Sequence, residues 1–345
     1  MIWLAHHHNT FPESSQRYTR SNPFSLNGTV YYINSLFQDE DEFAVYRLHP
    51  TTLEVQKIEV LCENFTPLVA LSYCIVFSHQ NRLIIWDQDF HNLYLATEVD
   101  TGLSFRRMQT TGVVPNRIAF AYCMHEGKLV IHGGMDLINI DTFSTDTLEL
   151  NLKALIWTRR QTVATEEVRG ELAKLTYLAE QNLITGDRMH VINLPDRSHF
   201  ILDLSTNVWT RVRTKAHVTV VESPTFFTYD GNLYLYGGKL HDDPGIIYRF
   251  DEENEEWKTV LSSLSTQLPC FFHHVTSAGT RVYLSNYTFM GSGMEMDFSV
   301  LEMNPTLFDL SAMAVQNSLE QRALMDEVLP APIKDMIVAS DDLQE

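Results

Sequence analysis

Histidines and cysteines, the residues that most often hold metals or act as nucleophiles, form no recognisable catalytic motif in this sequence. Histidines stand side by side at His6-His7-His8 and at His273-His274. Neighbouring side chains of a strand point to opposite faces of its sheet, so His273-His274 is a poor chelating pair. Nucleophile elbows, phosphate loops and Cys-x-x-Cys pairs are absent from the sequence. We therefore predict no intrinsic catalysis, no metal site and no cofactor.

A different chemistry, the binding of another protein, is indicated near the C-terminus. Pro305 ends a strand, and the segment after it carries apolar or small residues at positions 307, 310, 311, 314 and 315. This i, i+3, i+4, i+7, i+8 spacing predicts a helix with one apolar face. A second helix-compatible stretch, residues 319–328, ends at a Leu-Pro break. The apolar face either packs on the body of the protein or is covered by a partner.

The elements that must position any binding surface are repeated strands. The clearest unit runs from Gly231 to Gly238, a tight turn, an apolar strand and a Gly pair, and Trp257 follows behind a second strand. The same unit runs from Gly127 to Gly134 and leads to Trp157. This pattern, at a period of about 50 residues, is typical of a kelch blade. A single four-stranded blade cannot bury both of its faces, so blades stack radially into a ring.

Two independent registers indicate how many units the chain contains. An apolar residue closes the outer turn at steps of 52, 52, 52 and 48 residues, at Leu53, Phe105, Trp157, Trp209 and Trp257. A turn opens each hairpin at Gly28, Asn81, Gly127, Asp187, Gly231 and Gly279. Together the registers predict six units, four of which have lost the Gly pair.

The two ends of the repeat array complement each other. The sixth unit stops at Pro305 without a Trp of its own, and the strand-like segment Ile2 to Ala5 precedes the first unit. We predict that residues 1–8 complete the last blade, because this closure removes an exposed strand edge. The predicted fold is all-β: a six-bladed kelch propeller over residues 1–303, followed by a helical tail over residues 304–345.

Composition restricts the partners and the compartment. The net charge of −19 argues against nucleic acid and anionic membranes as partners and favours a basic protein. No apolar run approaches the roughly 20 residues that span a membrane, and the N-terminus is too short and polar for a signal peptide. Four cysteines are too few for a disulfide framework. We expect a cytoplasmic or nuclear protein.

The chain resembles the short kelch domain-containing proteins, most specifically from Val114-Pro115 through Gly133-Gly134 and from Val300 to Ile337. In that family a box that binds elongin C and a box that selects cullin 2 follow the propeller. The resemblance implies elongin-binding residues Leu307, Leu310, Ser311, Ala314 and Val315, with Ser311 at the position where the family has Cys. It implies cullin-binding residues Leu329, Pro330 and Ile333.

The resemblance also implies a task for the ring. Family members hold the C-terminal residues of other proteins on one propeller face, where Arg side chains clamp the terminal carboxylate. The matching positions here are Arg117, Arg197 and Ser198, although the loop that carries Arg197 is shorter and lacks the Gly pair. The implied function is the non-catalytic substrate-recognition subunit of an elongin B/C–cullin 2 ubiquitin ligase. The alternatives are a kelch scaffold without a ligase and, less favoured, a propeller oxidase or hydrolase.

Overall fold

Short apolar strands separated by polar turns make this protein nearly all β. The computed structural model describes residues 3–7, 19–36, 44–49, 54–63, 74–87, 92–139, 141–176, 178–179, 182–213, 222–238, 246–260, 273–290 and 293–303. The predicted tail helices, in residues 304–345, lie outside the described residues. Within the described ranges there are 27 strands and one helix.

The strands follow one another closely along the chain. In order they are β1 Trp3–His7, β2 Thr19–Leu26, β3 Thr29–Leu36, β4 Ala44–Leu48, β5 Val55–Glu63, β6 Cys74–His79, β7 Arg82–Asp87, β8 Asn92–Val99, β9 Gly102–Met108, β10 Thr111–Gly112, β11 Arg117–Ile118, β12 Ala121–His125, β13 Lys128–His132, β14 Met135–Asp136, β15 Thr147–Asn151, β16 Ile156–Arg159, β17 Ile184–Thr185, β18 Arg188–Ile192, β19 His199–Asp203, β20 Val208–Val212, β21 Glu222–Tyr229, β22 Asn232–Gly238, β23 Ile246–Asp251, β24 Glu256–Thr259, β25 His273–Ala278, β26 Arg281–Met290 and β27 Gly293–Glu302.

The helix α1, Glu166–Leu172, lies between β16 and β17 and was not predicted from the sequence. Thr165 caps it, since its Oγ1 accepts the N–H of Val168 at 3.3 Å. Two glutamates in the first turn complement the positive end of the helix dipole. Seven residues are too few for a reliable helical period, so only these capping signals were available in the sequence.

Tight turns set the register of the hairpins. At Asn27-Gly28, Gln80-Asn81, Glu126-Gly127 and Asp230-Gly231 both turn residues have φ between 46° and 79°. Two consecutive positive φ values form a type I′ turn, whose twist matches that of the flanking strands. All six predicted hairpin turns lie between paired strands, and that prediction is confirmed.

The hairpins extend into antiparallel meanders of four strands. The first meander is β2–β5, the second is β6–β9, and the third contains β12, β13, β15 and β16. The fourth is β17–β20, the fifth is β21–β24, and the last combines β25–β27 with β1. β1 runs antiparallel to β27, with Trp3 opposite Glu302 and His7 opposite Phe298. The N-terminal strand is therefore the edge strand of the last meander.

Apolar side chains fill the space between successive meanders. Trp86 of the second meander meets Trp157 of the third with 5.2 Å between ring centroids. The cluster around Tyr32 of the first meander includes Tyr283 of the last, so these two meanders also pack on each other. The first strand β2 contacts both β6 and β25, the first strands of the two neighbouring meanders, which places these strands on the inner side. The small sheets thus form a propeller-like ring.

The residues predicted to close the outer turns are core residues where the structure describes them. Phe105, Trp157 and Trp209 are buried. Trp257 is partly buried and packs against Phe250, with 5.2 Å between the rings. Leu53, the first of the set, lies outside the described residues. Large apolar groups at these positions bury the outer strands against the neighbouring meander.

Parallel contacts join the last strand of one meander to the segment that leads out of the meander before it. The second half of β5 pairs with β9, Glu59 opposite Gly102, which merges the first two meanders into one eight-stranded sheet. β10 pairs in the same way with β16, and Val163 bridges to Val208. These contacts cover outer edges that would otherwise be open to pairing with another chain.

Candidate functional site

A two-stranded ribbon positions Arg117 just before the first strand of the third meander. β11 runs antiparallel to β14, with Arg117 opposite Asp136. The Gly133-Gly134 pair that precedes β14 has φ values of 72° and 95°. A Cβ on Gly134 would lie 2.7 Å from the Ile118 carbonyl oxygen. Only glycine permits this approach, so the Gly pair brings the ribbon together.

Arg117 is buried, with one edge of its guanidinium unpaired. The residue is 6% exposed, and its Nη1 donates a hydrogen bond to Ser144 Oγ. Nε and Nη2 have no hydrogen-bond partner in the described part of the chain. These two nitrogens form the edge of the guanidinium that binds a carboxylate through two parallel hydrogen bonds. Because buried donors are normally paired, this edge is a place suited to an anionic group.

The charge of Arg117 is only partly balanced by its surroundings. Burial lowers the pKa of Arg117 from 12.5 to about 10, Asp146 raises it, and Arg159 lowers it. Asp146 forms its own ion pair with Arg159 at 2.9 Å. The guanidinium is therefore charged at neutral pH, and a ligand carboxylate would supply a counter-charge where water screens poorly.

His132, at the end of β13, is buried within the electrostatic range of Arg117. Its Nδ1 lies 3.0 Å from Thr147 Oγ1, and its ring packs on Trp209 with 4.5 Å between centroids. Burial, and after it the charge of Arg117, lowers the pKa of His132 to about 3. The imidazole is therefore neutral at physiological pH and adds no charge to the site.

The ribbon also carries an exposed apolar tip. Asp136 Oδ1 accepts the backbone N–H groups of Ile138 at 2.7 Å and Asn139 at 3.0 Å, and these bonds lower the pKa of Asp136. The Leu137 N–H donates to the Asn116 carbonyl at 3.2 Å. Ile138 is 87% exposed although the backbone around it is hydrogen-bonded. The ribbon and its loop thus carry a buried cation, Arg117, and an exposed apolar side chain, Ile138.

The other two predicted pocket residues lie in a separate turn between β18 and β19. Arg197 has φ of 58°. The Ser198 N–H and hydroxyl both donate to Asp196 Oδ1, at 2.9 and 2.8 Å. Burial alone would raise the pKa of Asp196, but the hydrogen bonds from Ser198 and Asn193 lower it overall. A role of these residues in the same pocket as Arg117 stays a prediction.

The predicted docking residues of the tail lie outside the described residues. They are Leu307, Leu310, Ser311, Ala314 and Val315 for elongin, and Leu329, Pro330 and Ile333 for the cullin. Their roles stay predictions.

Sequence reasoning missed Ser144, the residue that orients the Arg117 guanidinium. Ser144 lies 27 residues further along the chain, in the loop between β14 and β15. Its backbone N–H donates to the Gly134 carbonyl at 2.8 Å, which places it beside the ribbon. A single serine in a polar loop carries no signal of this role, because the contact depends on how the loop folds back.

No protein-family model matches this chain, and no curated protein sequence matches it. Among the described residues, no three His, Cys, Asp or Glu side chains are grouped so that they could hold a metal ion. The described ranges contain no helix long and apolar enough to cross a membrane.

Proposed function

We propose that this chain is the substrate-recognition subunit of a cullin 2–elongin B/C ubiquitin ligase, with a propeller that holds the target protein by its C-terminus. The observation that carries the proposal is the buried Arg117, whose Nε and Nη2 are unpaired. That edge matches a terminal carboxylate in charge and in geometry. The family implied by the sequence, the short kelch domain-containing proteins and most of all kelch domain-containing protein 3, remains part of this proposal.

The proposed ring has six kelch blades. The eight-stranded sheet counts as two of them, because its halves β2–β5 and β6–β9 are separate meanders joined by one parallel contact. The three four-stranded sheets and the meander of β12, β13, β15 and β16 supply the others. The predicted tail, residues 304–345, follows this ring directly and would form the helices that dock the ligase.

The proposed mechanism is proximity without catalysis by this chain. The ring holds the target while the tail anchors the assembly that carries the ubiquitin-charged enzyme. Transfer of ubiquitin then becomes effectively intramolecular, because a tethered pair has a high effective concentration. The chain's own contribution is the affinity and orientation of the target.

Replacing Arg117 by Gln is expected to abolish binding of peptides with a free C-terminus. Truncating one member of a buried charge pair costs about 2–5 kcal/mol, or roughly 30- to 5,000-fold in Kd. The measurement is fluorescence polarisation with labelled ten-residue peptides ending in Gly, drawn from a random library. Amidation of the peptide C-terminus should cause a loss of similar size, because it removes the carboxylate.

Arg249→Gln is the matched control, because Arg249 is exposed and lies in β23 of the fifth meander. It should leave the affinity unchanged. If amidated and free peptides bind equally well to the unaltered protein, Arg117 does not bind a terminal carboxylate. That outcome would not contradict a ligase subunit that recognises internal sequences of its targets.

Leu307→Ala is expected to remove elongins B and C from the purified protein. Few buried side chains carry most of the energy of an interface, so this leading Leu should be worth about 2 kcal/mol or more. The melting temperature of the free propeller should hardly change. Co-expression followed by affinity purification and mass spectrometry measures both partners at once.

Changing Leu329 and Pro330 together to Ala is the companion variant. It should keep elongins and lose cullin 2, because that segment follows the elongin box by one helix. If elongins never co-purify and Leu307→Ala lowers the free energy of unfolding by several kcal/mol, the tail is a core helix. The protein would then be a kelch scaffold without a ligase.

A further inference from the structure

Two histidines are buried in the seam between the fourth and fifth meanders, outside the site at Arg117. His190 in β18 is 0% exposed and His199 in β19 is 3% exposed. Their ring centroids lie 5.2 Å apart. Phe250 of β23 packs edge-on against both rings, at 6.4 and 5.0 Å. The contact surface of these two meanders therefore contains two side chains whose ordinary pKa lies near neutral pH.

A directed chain of hydrogen bonds joins the two imidazoles to a carboxylate. The carboxylate of Glu252 can only accept, so Thr185 Oγ1 donates to Glu252 Oε1 at 2.6 Å. The Thr185 oxygen then accepts from His190 Nε2, also at 2.6 Å. His190 Nδ1 is thereby left as an acceptor, and His199 Nε2 donates to it at 3.0 Å. This order requires the His190 imidazole to be neutral, because its Nδ1 accepts.

An additional proton has no favourable position in this hydrogen-bond chain. On His199 Nδ1 it would have no acceptor, because that atom is buried without a hydrogen-bond partner among the described residues. On His190 Nδ1 it would oppose the N–H of His199. The charged groups that face the pair are Glu252 from the fifth meander and Arg188 from the fourth, and these two form an ion pair. Arg188 thus offsets the attraction of Glu252 for a proton.

The titration of both histidines is displaced accordingly. Burial lowers the pKa of His190 to about 4, with Glu252 raising it and Arg188 lowering it. Burial, followed by the effect of His190, lowers the pKa of His199 well below 6.5. An imidazole released into water would titrate near its ordinary pKa of about 6.5. Below that pH the opened seam binds more protons than the closed one.

Solvent reaches the Glu252 end of the hydrogen-bond chain. Thr185, Arg188, Phe250 and Glu252 line an open cleft of about 660 Å³ between the two meanders. Protons can therefore arrive at Glu252 without unfolding of the ring, while His199 at the other end stays enclosed. The hydrogen-bond chain thus runs from a partly exposed carboxylate to a buried imidazole.

We propose that His199, His190, Thr185 and Glu252 form an acid-sensitive latch that holds the fourth and fifth meanders together at neutral pH and opens the seam between them on acidification. The stabilisation is complete above about pH 6.5 and is lost as the pH falls from there toward 4. The latch does not depend on the proposed ligase function, because its residues serve the contact between meanders.

Hydrogen exchange measured by mass spectrometry at pH 7.5 and pH 5.5, corrected for intrinsic exchange, tests the latch. A single histidine with a pKa of about 6.5 in the open seam and about 4 in the closed one makes opening about tenfold more favourable at pH 5.5. We expect protection in residues 182–213, 222–238 and 246–260 to fall by at least that factor. Protection in residues 74–87 and 92–108 of the second meander should stay within about threefold.

His199→Gln is the diagnostic variant, because the Gln amide can still donate to His190 Nδ1 but cannot take up a proton. It should reduce the acid-induced loss of protection in the seam, and His49→Gln, at an exposed position, should not. If the His199→Gln variant does not fold, the latch is tested in the unaltered protein alone. The acid-induced loss of protection in the seam is then compared with the loss in the second meander. Equal protection of the seam at both pH values, or equal loss in the second meander, would overturn the latch.

Discussion

Removal of residues 1–8 is expected to destabilise the ring and to make the protein aggregate. Five residues of β1 pair with β27, from Trp3 opposite Glu302 to His7 opposite Phe298. Without them β27 would have an unpaired edge next to the buried Val300 and Leu301. At about 1 kcal/mol per backbone hydrogen bond, we expect a loss of about 3 kcal/mol or more. An open edge also offers a template for another chain.

Differential scanning fluorimetry and size-exclusion chromatography measure the two effects of this truncation. The melting temperature should fall by several degrees, since each kcal/mol shifts it by about 2–4 °C in domains of roughly 150–250 residues and by somewhat less in a larger one. A synthetic peptide of residues 1–10 added in excess should restore part of the loss by occupying the same edge. If the truncated protein melts at the original temperature and stays monomeric, β1 contributes nothing to the closure of the ring.

Gly112→Ala is expected to cost about 2–5 kcal/mol of the free energy of unfolding, from about 1–3 kcal/mol for the steric overlap and about 1–2 kcal/mol for the positive φ. Gly112 lies in the parallel contact of β10 with β16, and a Cβ there would stand 2.1 Å from the Trp157 carbonyl oxygen. Its φ of 92° adds the strain that an L side chain suffers in this region. The backbone must therefore move away from the strand that carries the buried Trp157, and the edge contact is lost.

Gly28→Ala is the matched control for the backbone strain alone. Gly28 has a similar φ of 79°, but a Cβ there would meet nothing within 4 Å. This control should cost only about 1–2 kcal/mol. Chemical denaturation followed by intrinsic fluorescence compares the two variants. If both lose the same free energy, the close approach to β16 is not what requires glycine at position 112.

The proposed carboxylate site and the proposed latch lie on different meanders and fail in different experiments. Arg117 belongs to the ribbon beside the third meander, and His199 belongs to the fourth. Arg117→Gln should leave the pH dependence of hydrogen exchange in the seam intact. His199→Gln should leave peptide affinity at pH 7.5 unchanged, because Arg117 keeps its contacts. Each result therefore decides one proposal without deciding the other.

Hairpins could be predicted from the sequence because their signals are local. A turn such as Asp230-Gly231 needs only residues that accept positive φ, and the flanking apolar residues mark the strands. The recurring Trp positions could be predicted in the same way, and Trp157 and Trp209 are buried as core residues. The helix α1 was missed because seven residues do not build a visible helical period.

The candidate site was only partly predictable. The sequence singled out Arg117 through a resemblance and the Gly133-Gly134 pair through the repeat, and the structure brings these residues together. It could not indicate Ser144, nor the unpaired edge of the guanidinium, because both depend on a loop that returns to the ribbon. Arg197 and Ser198, predicted for the same pocket, lie in a turn of their own.

The sequence by itself determined the all-β class, the repeat period and the residues that close each turn, since these follow from alternation and backbone preferences within a few residues. The closure of the last meander by the N-terminal strand was also predicted from the sequence, and β1 pairs with β27. Only the tertiary structure decided that β5 crosses to β9. It also decided the hydrogen-bond chain from His199 to Glu252. These contacts join residues that are distant along the chain, and their energies depend on burial and on partners that no local pattern records.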